Sequence, residues 1–468
     1  MKLLSRIWQN RRGNVIIIMG AMLPLVIGCA GLATDTIQWT LWKRQLQRAA
    51  DSAAIAGVYT RTVTDTQTAV ETAVCNDLVK NQHTGLVLAG SYTTCPDGTT
   101  RRGPVTLLSD SGNATKQVRV SLTVQQSLPF SSMFMTSVPQ IVANATASSV
   151  PGGGTACFLG LTTSASETGL AFTGNAAVVA PNCDGFSDSS STNSSSAKGS
   201  ADVTLNTVGG VGGVQASNNF HVTAYRPYSP VLADPFIGIA PNPTDMVCKA
   251  TITTTTGNGN GNGSGGSTSS TTTTAAVALD ENTVLPLADA SSGVSKATNC
   301  FSSLSVSSGK TLTLPAGTYY INGGDAFIQG NITCTACTII LTNVDPTSTT
   351  IGQFKVNASS NVNLTAPTSG TYAGIAIYQD RRAVDSNANV NKINGNSNSI
   401  INGAMYFPNQ QLEYNGTGTT SAVCTMFVAK RLVFTGNSTT SNKFNGAADC
   451  PQYPSFNVQA LRIIRLTA

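Results

Sequence analysis

Hydrophobic and polar positions divide this chain into three regimes. From Val15 to Ala33 nineteen consecutive residues carry no charge, and about twenty apolar residues are what a helix needs to cross the hydrocarbon of a bilayer. Beyond them Trp39, Trp42, Leu46, Ala49, Ala50, Ala53, Ala56 and Gly57 recur at spacings of three and four, the mark of one helix face. The pattern predicts a transmembrane α-helix, bounded by Val15 and Ala33, that continues unbroken into a long alanine-rich helix within residues 1–60. "GCAGLA" (28–33) offers small residues that a signal peptidase accepts. The apolar run nevertheless exceeds a usual signal core of about 7–15 residues, so an uncleaved anchor is expected. Trp39 and Trp42 lie where interfacial aromatics belong. Alanine favours helix strongly and allows a neighbouring helix or sheet to approach closely.

Residues 61–150 change period twice. A short amphipathic helix is expected from Arg61 to about Asn81, with Val63, Ala69, Ala73, Val74 and Leu78 apolar. In "KQVRVSLTV", Val118, Val120, Leu122 and Val124 alternate with polar residues, the period of a half-buried strand, and "QIVANATASSV" repeats the pattern. A small α+β membrane-proximal module follows from this. "VPGGGTAC" (150–157) marks the next boundary. From 151 to 468 the chain breaks into short apolar runs separated by Asn-Gly, Ser-Gly and Thr-Gly turns, as in "TGLAFTGNAAVVAPNC" and "SKATNCFSSLSVSSGKTLTLPAGTYYINGG". A mainly β ectodomain is predicted. The short repeating rhythm suits a parallel β-solenoid, whose coils bury their apolar faces only by stacking; a β-sandwich is the alternative. The Thr, Gly and Ser tract within 249–275 reads as a flexible insert.

Composition sharpens the picture. Only 10% of residues are charged, against about 25% in ordinary soluble domains, while Thr, Ser, Asn and Gly are abundant. The net charge of +5 comes from scattered Lys and Arg without interleaved aromatics, so no nucleic-acid partner is expected. Lys2, Arg6, Arg11 and Arg12 precede the anchor without an acidic residue among them, which predicts a cytoplasmic N-terminus. Of eleven cysteines Cys29 lies in the apolar run, and ten lie beyond it: Cys75, Cys95, Cys157, Cys183, Cys248, Cys300, Cys334, Cys337, Cys424 and Cys450. An even number fits disulfides in an oxidising compartment. Connectivity is not fixed by sequence; pairing of successive neighbours is the simplest scheme.

The stretch "RRGNVIIIMGAMLPLVIGCAGLATDTIQWTLWKRQLQRAADSAAIAGV" (11–58) closely resembles the N-terminal region of TadG-like proteins, in the TadE/TadG-like family of the tight-adherence (Flp) pilus assembly system. The resemblance rests on a basic-Gly start, the apolar helix, Asp35 just past it, and the ordered motif of Leu46, Gln47, Ala49, Ala50, Asp51, Ala53, Ala54, Ala56 and Gly57. Weaker likeness extends to "ACFLGL", "GLAFTGNAAVVAPNC" and "GTYAGIAIYQDRR". Pilin-like members carry a Glu five residues after a Gly cleavage point. Counted from Gly13 that position is Ile18, so prepilin processing is not expected. The resemblance implies a single-pass protein of the bacterial inner membrane with a periplasmic or surface ectodomain. Its implied partners are the membrane, other pilus-assembly proteins and, through the N-terminal helix, a second copy. Leu46, Ala49, Ala50, Ala53, Ala56 and Gly57 then form a docking face for a partner helix or for the protein's own proximal sheet.

Catalytic chemistry is sparse, and no enzyme, metal or cofactor is expected. The two histidines, His83 and His221, are far apart in sequence. "CTAC" at 334–337 precedes a strand pattern rather than the helix of a redox C-x-x-C motif, and reads as a structural disulfide. "DSSST" (188–192) fits the D-x-S-x-T metal motif of von Willebrand A domains, which some TadG-like proteins contain, but no buried strand pattern precedes it. The best catalytic candidates are Asp380, Arg381 and Arg382 of "YQDRR", with Asp385 and Lys392 near in sequence. On them rests an alternative function, a carbohydrate-binding or carbohydrate-cleaving solenoid on the same anchor.

Overall fold

A computed structural model describes residues 11–80, 105–137, 139–248, 250–256, 269–275, 277–283, 285, 298–386, 388–394, 399–415, 420–422, 424–436, 439–442, 450 and 460–467. The chain divides into two compact units, one of residues 1–151 with 463–468 and one of residues 152–462.

The first unit is built on helix α1 (Arg11–Val63) and helix α2 (Gln67–Lys80). At 1.5 Å per residue α1 is roughly 80 Å long. The helix expected to start at Arg61 is interrupted: α1 runs through Arg61 to Val63, and Thr64–Thr66 turn the chain into α2. Asp65 holds this turn, accepting Arg61 Nε at 2.8 Å and Lys116 Nζ at 2.6 Å. The sheet is antiparallel: β1 (Val105–Leu107) pairs with β2 (Thr115–Gln125), and β2 with β3 (Gln140–Gly160). Opposite Val118, Val120 and Leu122 of β2 stand Ala147, Ala145 and Ala143 of β3. Large residues on one strand thus face small ones on the next, and the resulting surface is smooth enough for a helix to lie on. Val118, Val120, Leu122 and Val124 are all fully buried. Ile464 packs on the same core, and Thr467 N–H donates to the Thr146 carbonyl at 2.8 Å.

The second unit is mainly parallel strand, in three ladders. One row of the first ladder runs, by register, through Cys300, Tyr320, Ile340, Tyr378, Tyr406, Val428, Leu159, Phe186, Gly209 and Arg226. A row of the second runs through Val306, Ile328, Val356, Ile393, Tyr414, Phe434, Phe172 and Ala197, all buried. A third begins Leu314, Cys334, Leu364, Ile401. Ladder order is not chain order: residues 300–434 stack first, and residues 155–226, earlier in the chain, continue the stack beyond Phe434.

The turns explain the Gly content at one corner. "FTGN" occurs twice, at 172–175 and 434–437. Gly436, Gly174 and Gly199 all have positive φ and lie one above another, so that a Cβ on Gly174 would fall 3.2 Å from the Gly436 nitrogen. Asn175 N–H donates to the Gly436 carbonyl at 2.9 Å and Ser200 N–H to that of Gly174 at 2.8 Å. Glycine takes this left-handed bend without the strain a side chain would bring at each of the three positions. In the insert the Thr-rich flanks form a hairpin, Ala250–Thr256 against Ser269–Ala275; β-branched threonine favours extended backbone. Residues 257–268 between them lie outside the described residues.

Cys157–Cys183, Cys248–Cys300, Cys334–Cys337 and Cys424–Cys450 are bonded, each to its successive neighbour. Cys75 is disulfide-bonded as well; Cys95, its expected partner, lies outside the described residues, as does His83.

Candidate functional site: the anchor helix and the face it presents

Between Ile18 and Leu32 helix α1 exposes its large apolar residues, Met19 and Leu25 by 70% and 63%. Side chains left in water at this density along a helix of adequate length meet the criteria for a membrane span. Val15 lies in the same helix and Ala33 at its exposed end. Asp35 follows directly and is buried. Its Oδ1 accepts the Phe130 N–H at 2.9 Å, and its Oδ2 accepts the Ser131 N–H at 2.5 Å and the Ser131 hydroxyl. Burial works to raise this carboxyl, but the Ser131 hydroxyl and the two backbone donors outweigh it, so its pKa lies below the ordinary value.

Further along, the alanine face meets the protein's own sheet. Leu46, Ala50, Ala53, Ala54 and Val58 are fully buried with Val70, Val74 and Leu78 of α2 and the Val/Ala surface of β2 and β3. Gly57 is buried among them, while Ala49 and Ala56 lie half-buried at the margin. Of the two occupants left open by the sequence, the one in place is the proximal sheet. Leu46, Ala50, Ala53 and Gly57 are covered by this packing. A probe attached to Ala53 would sit in the core.

The polar residues of the motif, which periodicity could not interpret, fasten the helix to strand edges. Gln47 Nε2 donates to the Asn144 carbonyl at 2.9 Å and to Asp51 at 2.8 Å. Lys43 Nζ donates to the Val142 carbonyl. Arg61 Nη1 reaches the carbonyls of Leu108 and Gln117 at 2.8 and 2.6 Å. A Cβ on Gly57 would stand 2.8 Å from Val118 Cγ1 and 3.3 Å from Val70 and Val74. Gly57→Val should therefore lower the stability of this unit by about 1–3 kcal/mol through overpacking. Gly28→Val, where a Cβ meets nothing within 4 Å, should change little. Denaturant unfolding of the two variants in detergent makes the comparison.

The charged cluster of the second unit has a structural occupation. Residues 229–247 cross the outside of the first ladder. Arg381 grips them: Nη2 donates to Asp234 at 3.0 Å and to the Phe236 carbonyl at 2.6 Å, and Nη1 to the Ile239 carbonyl at 2.8 Å. Tyr378 donates to the Ile239 carbonyl at 2.6 Å and Tyr406 to Asp234 at 2.6 Å. Asp380 is paired with Arg382 at 2.7 Å and accepts the Thr342 hydroxyl at 2.7 Å. Burial alone would raise Asp380, but Arg382 and Thr342 bring it below the ordinary carboxylate value. Asp385 pairs elsewhere, with Arg431 and Lys430, both at 2.7 Å, and Lys392 with Glu413 at 2.9 Å. Of these five residues Asp380 and Arg382 pair with each other, while Arg381, Asp385 and Lys392 each pair elsewhere.

Asp188 of "DSSST" is buried and accepts the Leu232 N–H at 2.9 Å, and the Ser190 hydroxyl donates to the Thr163 carbonyl at 2.9 Å. Burial, with a smaller push from Asp234, raises Asp188 to about 7 despite the Leu232 hydrogen bond. Its folded pKa exceeds the unfolded value, so the protonated form stabilises the fold, and that stability fades as pH rises from about 4 through 7. Asp188→Asn keeps the acceptor and cannot ionise. It should match the parent near pH 4 and exceed it at pH 8 by up to about 4 kcal/mol, as read from unfolding curves at both pH values. His221 pairs with Asp202 at 3.2 Å, both well exposed.

Among the described residues one helix is long and apolar enough to cross a membrane, and a strand-rich, disulfide-bonded chain follows it. Residues 13–61 match the family described as "Putative Flp pilus-assembly TadE/G-like". No curated protein and no solved structure matches the chain.

Proposed function

We propose that this chain is a single-pass, inner-membrane structural component of a Tad (Flp-type) pilus system, with its N-terminus in the cytoplasm and its β ectodomain in the periplasm or at the cell surface. The observation that carries the reading is the match of residues 13–61, whose apolar part is exposed along α1 and whose alanine part is folded onto the proximal sheet. The basic residues before the span support the orientation, and the bonded cysteines support an oxidising compartment for the rest. For the ectodomain we favour a parallel solenoid over a β-sandwich; the unbroken parallel rows through Tyr378 and Phe434 support stacked coils. Its role is scaffolding or adhesion rather than catalysis. Asp380, Arg381 and Arg382, on which a carbohydrate-cleaving reading would depend, are engaged in holding neighbouring backbone. Deletion of the gene in the native host tests the assembly role. Surface pili should be lost, restored by the full chain, and not restored by a chain lacking residues 11–33. Normal piliation in the deletion strain would overturn the proposal.

A further inference from the structure

The turn that Asp35 holds presents a feature the alanine face does not explain. Residues 128–137 read "LPFSSMFMTS", and no charged residue occurs between Arg119 and Glu167. Within this turn Met133, Phe134 and Met135 are consecutive and expose 75%, 74% and 50% of their surface. They are fixed in place: the Phe130 and Phe134 rings lie 5.3 Å apart, and Ser131–Met133 form a single helical turn. Three adjacent large apolar side chains on an ordered turn need a covering surface.

Their position says which surface. The ring of Phe130 lies directly on Gly31, where a Cβ would fall 2.3 Å from two of its carbons. Gly31 is inside the uncharged run, and Asp35 is one helical turn, about 6 Å, further on. The turn therefore sits beside the last turn of the anchor, at the level where hydrocarbon gives way to headgroups. Leu32, next to Gly31 on α1, is itself 58% exposed. The carboxylate of Asp35 is spent on the turn's backbone N–H groups, so the level of the bilayer edge holds a satisfied charge instead of a bare one. A bilayer is also the surface that fits a turn without charged side chains to pair.

We propose that residues 130–135 are a second, shallow lipid contact, a turn that dips into the bilayer interface and is docked on the anchor by Asp35 and Gly31. Two points of insertion fix the rotation of α1 about its axis as well as its depth, which a lone helix leaves open. The inference rests on reading α1 as a membrane span, and the experiment separates the two.

The full chain with Cys29→Ser is reconstituted in phosphatidylethanolamine–phosphatidylglycerol vesicles, carrying a nitroxide at Leu23→Cys, Phe134→Cys or Ser111→Cys. Accessibility to molecular oxygen and to an aqueous nickel chelate is then compared. Position 111 is three residues along from Leu108, whose carbonyl Arg61 bonds, and Arg61 is about 39 Å along α1 from Asp35. Positions 23 and 134 should favour oxygen, 134 at the shallower depth, and position 111 should favour the chelate. Asp35→Ala should move position 134 toward the values at 111 and leave 23 unchanged. A label at 134 as open to the chelate as one at 111 would overturn the lipid contact while the anchor stood. Exclusion of both reagents at 134 would also overturn it, because a second protein would then cover the turn. Lipid exposure at 134 that Asp35→Ala leaves unaltered would remove Asp35 from the docking. Chelate access at 23 would defeat the anchor itself.

Discussion

Phe434→Ala is expected to cost the second unit about 3–5 kcal/mol, the range for truncating a large buried aromatic side chain. Phe434 is 1% exposed and stands at the seam where residues 300–434 meet residues 155–226. Its ring stacks on Phe172 at 5.2 Å and meets Phe427, Phe158 and Tyr414 at 5.4, 5.5 and 5.7 Å. A cavity here would remove contacts from both runs at once, and backbone pairing on either side hinders collapse around it. Stability depends on this seam more than on any outer strand, since a strand at either end of the stack has neighbours on one side only. Phe327, 40% exposed in the same unit, serves as the control: Phe327→Ala should cost well under half as much. Chemical denaturation of both variants decides, and equal losses would mean that the seam contributes no special stability.

Arg381→Met should follow, with a loss of about 2–4 kcal/mol. Removing one member of a buried pair costs about 3–5 kcal/mol; the Arg381 side chain is 28% exposed, so solvent recovers part of it. What remains after the substitution is Asp234, 12% exposed, and two carbonyls without their cationic donor. Tyr406 also loses the guanidinium, which lies 5.2 Å from its ring centroid. Arg381→Lys should recover less than half the loss. An ammonium delivers one compact charge, whereas the guanidinium fork reaches Asp234, Phe236 and Ile239 together. The readout is twofold: a lower unfolding midpoint, and faster proteolysis within residues 229–247. Lost stability without faster cleavage there would separate Arg381 from the crossing segment. The same reasoning makes substitution of Arg381 a poor probe of carbohydrate chemistry, because any loss of function would be confounded with loss of this clamp.

The helical parts were legible for a simple reason. A span must be long and uncharged whatever else the protein does, and a packed helix must repeat its small residues at three and four, so Val15–Ala33 and Leu46–Gly57 carry their meaning locally. Alternation did the same for Val118–Val124, since a strand with one buried face has no other pattern available. The break at Thr64–Thr66 lies in the polar run 64–68, where no apolar position marks the end of one helix or the start of the next. Asp65 ties the turn down, and its partner Lys116 lies on β2, 51 residues away.

Local pattern alone was enough to mark a long apolar helix, an alanine face able to accept a close neighbour, and a strand-rich region punctuated by glycine turns. What the face packs against, the order in which the strands stack and the contacts of "YQDRR" come from the folded chain alone. Parallel rows of similar short strands satisfy their hydrogen bonds equally well in many orders, so sequence cannot place Phe172 after Phe434. Charges also name their partners only in space: Asp35 finds Ser131 across 96 residues, and Arg381 finds Asp234 across 147. Hydrophobic periodicity is a property of neighbours along the chain, whereas register and ion pairing are settled by which surfaces the folded chain brings together.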